Sequence, residues 1–323
     1  MHIKLLCLFY KTHIRLVIPS ANMVDYDWDR MENIVYYQDF PSLPSWKSHS
    51  PASESFLKSL QSVLRLMTLE SRVIQRLASY DFDRAIGELV LSKPGPCLKT
   101  DPQMMGMLRL QEIAREYDIK VREDEPASII CQCSSVGAIS LEWANQFSAS
   151  LRGLEHNQKA NASFKLCFPS LATVEKSCYG KNGAGTLFFS GKWNSPTFPK
   201  DLIYDCESKS LGALMHSKVI VMSSFSTLPS STLQVVDKKD TNKDGMFYLG
   251  SHNHTAAAWG NFYKKKEGLT MKNWELGIVI PFRHIRALDS CSSKVEFSIP
   301  FTVPPRAYSN SDIPWIQNLH NSH

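Results

Sequence analysis

Two stretches of the chain alternate apolar and polar positions and then run apolar, the pattern of a strand entering a core. Residues 215–221 read MHSKVIV and residues 1–9 read MHIKLLCLF. A second apolar run follows each, at 246–250 and 14–18, so each is expected to form a strand, turn, strand unit. Further strands are expected over 127–133, 165–168 and 274–282, with one more inside 82–91. Helical spacing takes over elsewhere: Phe56, Leu60, Val63, Leu64 and Met67 predict a helix from about residue 55, capped by Ser53 or Ser55. Helices are also expected over 69–77, 103–117 and 141–151, and in a segment ending near 177. In the 103–117 helix Met107, Leu110, Ile113 and Ala114 form one stripe, which reads as core. Residues 41–51, the glycine-rich 180–185 and the polar 223–245 read as loops, and DKKDTNKD at 237–244 as a solvated insertion. Strands alternating with helices give an α/β chain with a mixed sheet in each of two domains. Pro94, Gly95 and Pro96 mark the boundary, giving units 1–95 and 96–323.

Composition narrows the class only a little. A chain of 323 residues can bury a full core, and 43% apolar with 21% charged residues describes an ordinary globule. The net charge of +5 is compatible with a polyanionic partner without identifying one, because steering depends on where the charge lies. The eight cysteines show no paired spacing of the small secreted kind, and Cys7, Cys131, Cys133 and Cys167 stand in apolar runs. They read as buried free thiols in a reducing compartment. Cys131 and Cys133 have no second pair at ligand spacing, so zinc is not expected. No apolar stretch reaches the roughly 18–20 residues of a membrane span. The N-terminal apolar run, broken by Lys4 and Lys11, reads as a strand and not as a signal peptide. Asn161 and Asn253 open glycosylation patterns that a reducing compartment leaves unmodified.

The chemistry gathers at the two alternating stretches. His2 and Lys4 stand two apart, as do His216 and Lys218, so on a strand each pair shares one face. The triplet Ser20, Ala21, Asn22 follows the first unit, and Ser251, His252, Asn253 follows the second. Each asparagine precedes a tryptophan by six residues, Trp28 and Trp259. A lone H-x-K on a strand is more often incidental than catalytic, but two copies carrying the same polar triplet are hard to get by chance. An imidazole that can attack or give up a proton, beside an ammonium and a carboxamide that can hold oxygens, suits a phosphoryl group in transfer.

This duplicated H-x-K…N arrangement resembles the phospholipase D superfamily, and the wording around it resembles the tyrosyl-DNA phosphodiesterase family within it. The phospholipases carry an aspartate after four further residues beyond each lysine, where this chain has Phe9 and Ser223. Further matches are QCSSVG at 132–137, FPS at 168–170, NGAGTL at 182–187, NWELG at 273–277 and DIPWI at 312–316. The resemblance implies two phospholipase D-like α/β/α sandwich domains with mixed sheets, related by a pseudo-twofold axis, with the half-sites meeting at their interface. It implies a nuclear, metal-independent hydrolase without cofactor that acts in DNA repair on 3′-phosphotyrosyl links between topoisomerase I and DNA. By that resemblance His2 is the nucleophile that forms a phosphohistidine, and His216 protonates the departing tyrosine and then activates water. Lys4, Lys218, Asn22 and Asn253 hold the phosphate, Glu275 orients a catalytic histidine, and Asn33 is a supporting amide on the other side. Ser134 and Ser135 resemble a backbone-contacting element of the DNA groove, and Lys264 and Lys265, beyond Trp259, are candidates for the phosphate backbone. The partners implied are DNA 3′ ends carrying a tyrosyl or topoisomerase peptide adduct, with no membrane, and a monomer is expected.

Two departures matter. His252 stands where the family prefers a small residue, either perturbing the pocket or pointing away from it. In the family, moreover, a substantial part of the first domain precedes the first H-x-K, whereas this sequence opens one residue before it. The first domain is therefore expected to be incomplete, as after an N-terminal truncation, with the His2 strand on an unprotected edge. Two other readings follow: a DNA-end-binding remnant without turnover, and another phospholipase D superfamily nuclease or lipase.

Overall fold

The chain is described here by a computed structural model covering residues 2–120, 124–226, 228, 232–235, 243–263, 267–283 and 295–317. Among these residues the largest sheet has seven strands, in the order Ile203–Tyr204, Ala162–Cys167, Ala127–Gln132, Val219–Ser223, Gly245–Gly250, Glu275–Phe282 and Glu88–Ser92. The first three run parallel to one another and the rest pair antiparallel, so the sheet is mixed. Every residue of Val219–Ser223, Gly245–Gly250 and Glu275–Phe282 is buried, as in a sheet covered on both faces. That is why their apolar runs are continuous. The helices Gly106–Glu116 and Leu141–Leu151 pack against each other, the first also against Glu88–Ser92 and the second against Ala162–Cys167.

A second sheet joins Leu6–Phe9, His13–Pro19 and Val35–Pro41, all antiparallel, with Leu6–Phe9 at its edge. The mixed sheet expected in each half is thus found only in the large one, because the three-residue turn at 10–12 makes a hairpin, which pairs antiparallel. Its inner face buries Ile14, Leu16, Ile18, Tyr36 and Phe40. Phe40 meets Phe56, from the helix Pro51–Leu66, and Phe82 at ring centroids 5.7 and 4.7 Å apart. The strand Glu88–Ser92, which precedes the Pro94 boundary, runs in the large sheet and not in the small one. No helix of the described residues is long and apolar enough to cross a membrane.

Several local expectations are corrected. The helix expected from residue 55 begins at Pro51, with Ser50 accepting from Ser53 N at 3.1 Å, because proline is favoured in the first turn where its missing N–H costs nothing. The glycine-rich segment forms a 3₁₀ turn over Gly180–Ala184. Residues 223–245 are not loop throughout: Thr232–Val235 pairs with Val295–Ser298. Within the DKKDTNKD run, 237–242 lie outside the described residues, and Lys243 and Asp244 are buried where solvation was expected. Asp244 accepts Lys120 Nζ at 2.6 Å, which offsets the burial of its charge. Cys131, Cys133 and Cys167 are buried free thiols, while Cys7, on the edge strand, is half-buried.

Candidate active site

The two H-x-K motifs do not lie within the ladders of their own hairpins. The regular strands begin after them, at Leu6 and Val219, and the histidines' backbone N–H groups bond across to the other half. His2 N donates to Trp274 O at 3.0 Å, and His216 N donates to Glu32 O at 2.9 Å. Each acceptor immediately precedes a predicted supporting residue, Glu275 or Asn33. The parallel pairing of Leu214–Met215 with Met31–Glu32 continues the second of these stitches. The two half-sites are therefore held together by exchanged backbone contacts.

Within each half the same local bonds recur. Lys4 Nζ donates to His2 O at 2.9 Å, and Lys218 Nζ donates to His216 O, so each lysine folds back over its own motif. Both hairpins end three residues before an asparagine, Pro19 before Asn22 and Gly250 before Asn253. Ser20 Oγ donates to Asn33 Oδ1 at 2.8 Å and accepts from Ile34 N at 3.0 Å. Ser251 Oγ donates to Glu275 Oε2 at 2.5 Å and accepts from Leu276 N at 3.0 Å. The backbone repeats this too, Ser20 N to Ile34 O at 2.9 Å and Ser251 N to Leu276 O at 3.0 Å. Histidine, lysine, serine and asparagine thus occupy matched places, the local form of a pseudo-twofold relation.

The match breaks at the supporting residues. Glu275 Oε2 sits 2.6 Å from His2 Nδ1, and Glu275 Oε1 accepts from Asn273 Nδ2 at 3.1 Å. Asn33, one methylene shorter, does not take the corresponding place beside His216. Its Nδ2 donates to Asp27 O at 2.6 Å and to Met31 O at 3.3 Å, bracing the turn that carries Asp27. Asp27 Oδ2 lies 3.2 Å from His216 Nδ1 and accepts both Asn22 N at 2.6 Å and Asn22 Nδ2 at 2.8 Å. Asp27 is wholly buried on the short helix Asp25–Asp29. Reading the sequence missed it, because DYDWD resembles a solvated acidic turn.

Burial and charge together shift the titration of the site's groups. Burial pushes His216 down to about 2, helped by the positive charges of Lys218, Lys4 and His2. Burial also lowers Lys4, against the pull of Glu275 and Asp27, and lowers Lys218 well below its ordinary value, with Lys4 adding to the effect. Burial alone would raise Glu275, but the His2 hydrogen bond, the charges on His252 and His2, and the Ser251 hydroxyl together hold it below the usual carboxylate value. Two buried lysines and two buried carboxylates, Asp27 and Glu275, thus stand within electrostatic reach of one another.

Other predicted residues fall into place or away. Ser134 Oγ donates to Asn253 Oδ1 at 3.1 Å, which engages that amide's oxygen and not its N–H donors. Ser135 is half-buried on the adjoining two-residue strand Ser135–Val136. His252 is buried in the core, its Nδ1 2.6 Å from the Tyr248 hydroxyl and its Nε2 3.0 Å from Ser92 Oγ. It stacks on Trp259 at 4.1 Å. Side chains at Gly250 and Gly277 would collide with the Tyr248 hydroxyl at 2.4 Å, so this arrangement needs both glycines. Lys264 and Lys265 lie outside the described residues.

Sequence and fold comparisons converge on one family. A family model for tyrosyl-DNA phosphodiesterase matches residues 1–309. A probable tyrosyl-DNA phosphodiesterase of Caenorhabditis elegans is 26% identical over 322 residues, covering 93% of this chain and 64% of the relative. Tyrosyl-DNA phosphodiesterase 1 of Arabidopsis thaliana is 21% identical over 373 residues, covering 97% and 58%. The chain thus spans about three fifths of the length of these relatives. The crystal structure of the yeast tyrosyl-DNA phosphodiesterase shares the fold, with a TM-score of 0.70 at 16% identity, over 98% of this chain and 76% of that one. With each of the duplicated motifs bonded across to the other half and the family model running through both, the chain belongs to the tyrosyl-DNA phosphodiesterase family.

Proposed function

We propose that this chain hydrolyses 3′-phosphotyrosyl links in DNA, freeing a tyrosyl peptide such as that of topoisomerase I and leaving a 3′ phosphate. The observation that carries this reading is the exchange of carboxylates: Glu275 from the second half holds His2, and Asp27 from the first half sits against His216. Glu275 engages His2 Nδ1, so the lone pair on Nε2 faces the substrate. His2 side-chain exposure is 31% against 5% for His216, which suits the group that must reach phosphorus. In the first step His2 Nε2 attacks phosphorus and the bond to the tyrosyl oxygen breaks, with His216 giving that oxygen a proton. In the second, water attacks phosphorus while His216 takes its proton, and the phosphorus–nitrogen bond breaks. Lys4, Lys218, Asn22 and Asn253 hold the nonbridging oxygens through both steps. The phosphate charge beside His216 also opposes the lysines that keep it neutral, and so raises it toward its acid form.

No step calls for a metal. One chain contributes both half-sites, which supports a monomer, and the buried free thiols support a reducing compartment, the nucleus, where adducts on chromosomal DNA arise. The test is a labelled oligonucleotide ending in a 3′ phosphotyrosine, with chelator present. His2→Ala is expected to abolish product, and His216→Asn to accumulate a covalent protein–DNA species. Normal turnover by either variant rejects the assignment. Salt-sensitive binding without product marks a DNA-end-binding remnant, and cleavage of phosphatidylcholine in parallel a lipase.

A further inference from the structure

Beside the second half-site an aromatic ring stands in solvent without an assigned task. Phe188 is 51% exposed, while its neighbours Leu187 and Phe189 are buried, Phe189 against Phe168, Trp193 and Phe198. The strand Phe188–Phe189 pairs in parallel with Ser135–Val136, with Phe188 directly opposite Ser135. Phe188 N donates to Ser134 O at 3.0 Å, and Ser134 Oγ in turn bonds Asn253. Val136 then bridges His254, the residue after Asn253, so three extended segments lie side by side at the rim of the site. Residues opposite each other on paired strands present their side chains to the same face. The Ser135 hydroxyl and the Phe188 ring therefore share one face, with the ring two strand spacings, about 10 Å, from the Asn253 segment.

We propose that Phe188 is a stacking platform for a nucleobase of the strand whose phosphate is held at Asn253. The proposal rests on the function proposed above and adds a base-binding subsite to it. A phenolic ring esterified to the phosphorus stays close to it, whereas a base one sugar-phosphate step away reaches the distance at which Phe188 stands. Stacking also explains why an aromatic ring occupies the exposed position of a strand whose alternate residue already fills the core. Every base has a π-face, so the subsite grips single-stranded DNA without reading its sequence.

The test uses oligonucleotides ending in a 3′ phosphate, the product itself, so that binding is read without cleavage. Fluorescence anisotropy compares the wild type with Phe188→Ala and Phe188→Trp on a normal strand and on strands made abasic at each of the last three nucleotides. Phe188→Ala is expected to bind the normal strand roughly 5- to 150-fold more weakly and Phe188→Trp to bind as the wild type does. One abasic position should weaken the wild type to the level of Phe188→Ala and leave that variant unchanged. Equal losses for Phe188→Ala on every strand, no loss at all, or a loss seen only when the 3′ phosphate carries a tyrosyl group each overturn the proposal, the last assigning the ring to the leaving group. Should the wild type cleave phosphotyrosyl DNA while Phe188→Ala binds normally, only the stacking subsite falls. Should the wild type neither cleave nor bind, the functional reading falls with it.

Discussion

At the scale of single residues the two histidines differ in how they are held, and the difference matches the roles proposed for them. His2 is gripped by a carboxylate at 2.6 Å that is itself fixed by Ser251 and Asn273, which suits a nucleophile needing one orientation. His216 has Asp27 at 3.2 Å, a looser contact, and its ring must both give and take a proton. Asp27→Asn keeps the size of the side chain and removes the charge that supports imidazolium. For a tyrosyl adduct the expected loss in turnover is about 100-fold, within the usual worth of general acid catalysis. A 4-nitrophenyl ester at the same 3′ phosphate has a leaving group that departs without a proton, so it should be cleaved almost normally. An equal loss on both esters would show that Asp27 only maintains structure, and would falsify its assignment to the acid step.

At the scale of elements the unit that repeats is a hairpin, its lead-in and a serine latch. The latch does the same work twice, tying the end of each hairpin to the strand or turn that carries the supporting residue. In the first half it bonds a neutral amide, Asn33, and in the second a carboxylate, Glu275. Hydrogen bonds to charged groups are worth about 1.5–3 kcal/mol against about 0.5–1.5 for neutral pairs. Ser251→Ala should therefore destabilise the chain more than Ser20→Ala, by roughly 1 kcal/mol in urea unfolding. It should also loosen His2, so its effect on turnover exceeds that of Ser20→Ala. Equal costs would mean that the serine's bond to the backbone N–H, and not the bond to its side-chain partner, carries the latch. The hairpins and their H-x-K…N marks were legible because alternation, turn and polar triplet are all local. Asp27 was not, since nothing near it distinguishes it from Asp25 and Asp29 until the fold brings His216 across. The place of Glu88–Ser92 in the large sheet was hidden for the same reason: an apolar strand before a proline turn does not say which sheet will accept it.

At the scale of the whole molecule the site and its support bury three imidazoles, and this sets an acid limit on the fold. Burial, the leading cause in each case, lowers His216 to about 2 and His252 and His254 to about 3, from an ordinary value of 6.5. Between about pH 3 and 6.5 the unfolded chain therefore binds more protons than the folded one, so stability falls as pH drops below 6.5. Each buried histidine contributes about 1.4 kcal/mol per pH unit in that window, and the three together about 4. By pH 5 the histidines' share of the loss is about 6 kcal/mol, which Glu32, raised to about 7 by burial, partly offsets because its carboxyl gains a proton in the folded state first. His254 is the one to remove. Both its ring nitrogens lack a hydrogen-bond partner among the described residues, and the rings of Trp143, Phe147 and Phe164 enclose it at 4.9, 4.9 and 5.3 Å. His254→Phe keeps a ring in an aromatic cage and leaves no donor or acceptor stranded. Urea midpoints measured from pH 7.5 to 5 should show a pH slope smaller by about 1.4 kcal/mol per unit for this variant, with a gain of about 2 kcal/mol over the wild type at pH 5. An unchanged slope would mean that His254 reaches water readily enough to protonate in place, and that the acid limit of the fold is set at His216 and His252, beside the chemistry itself.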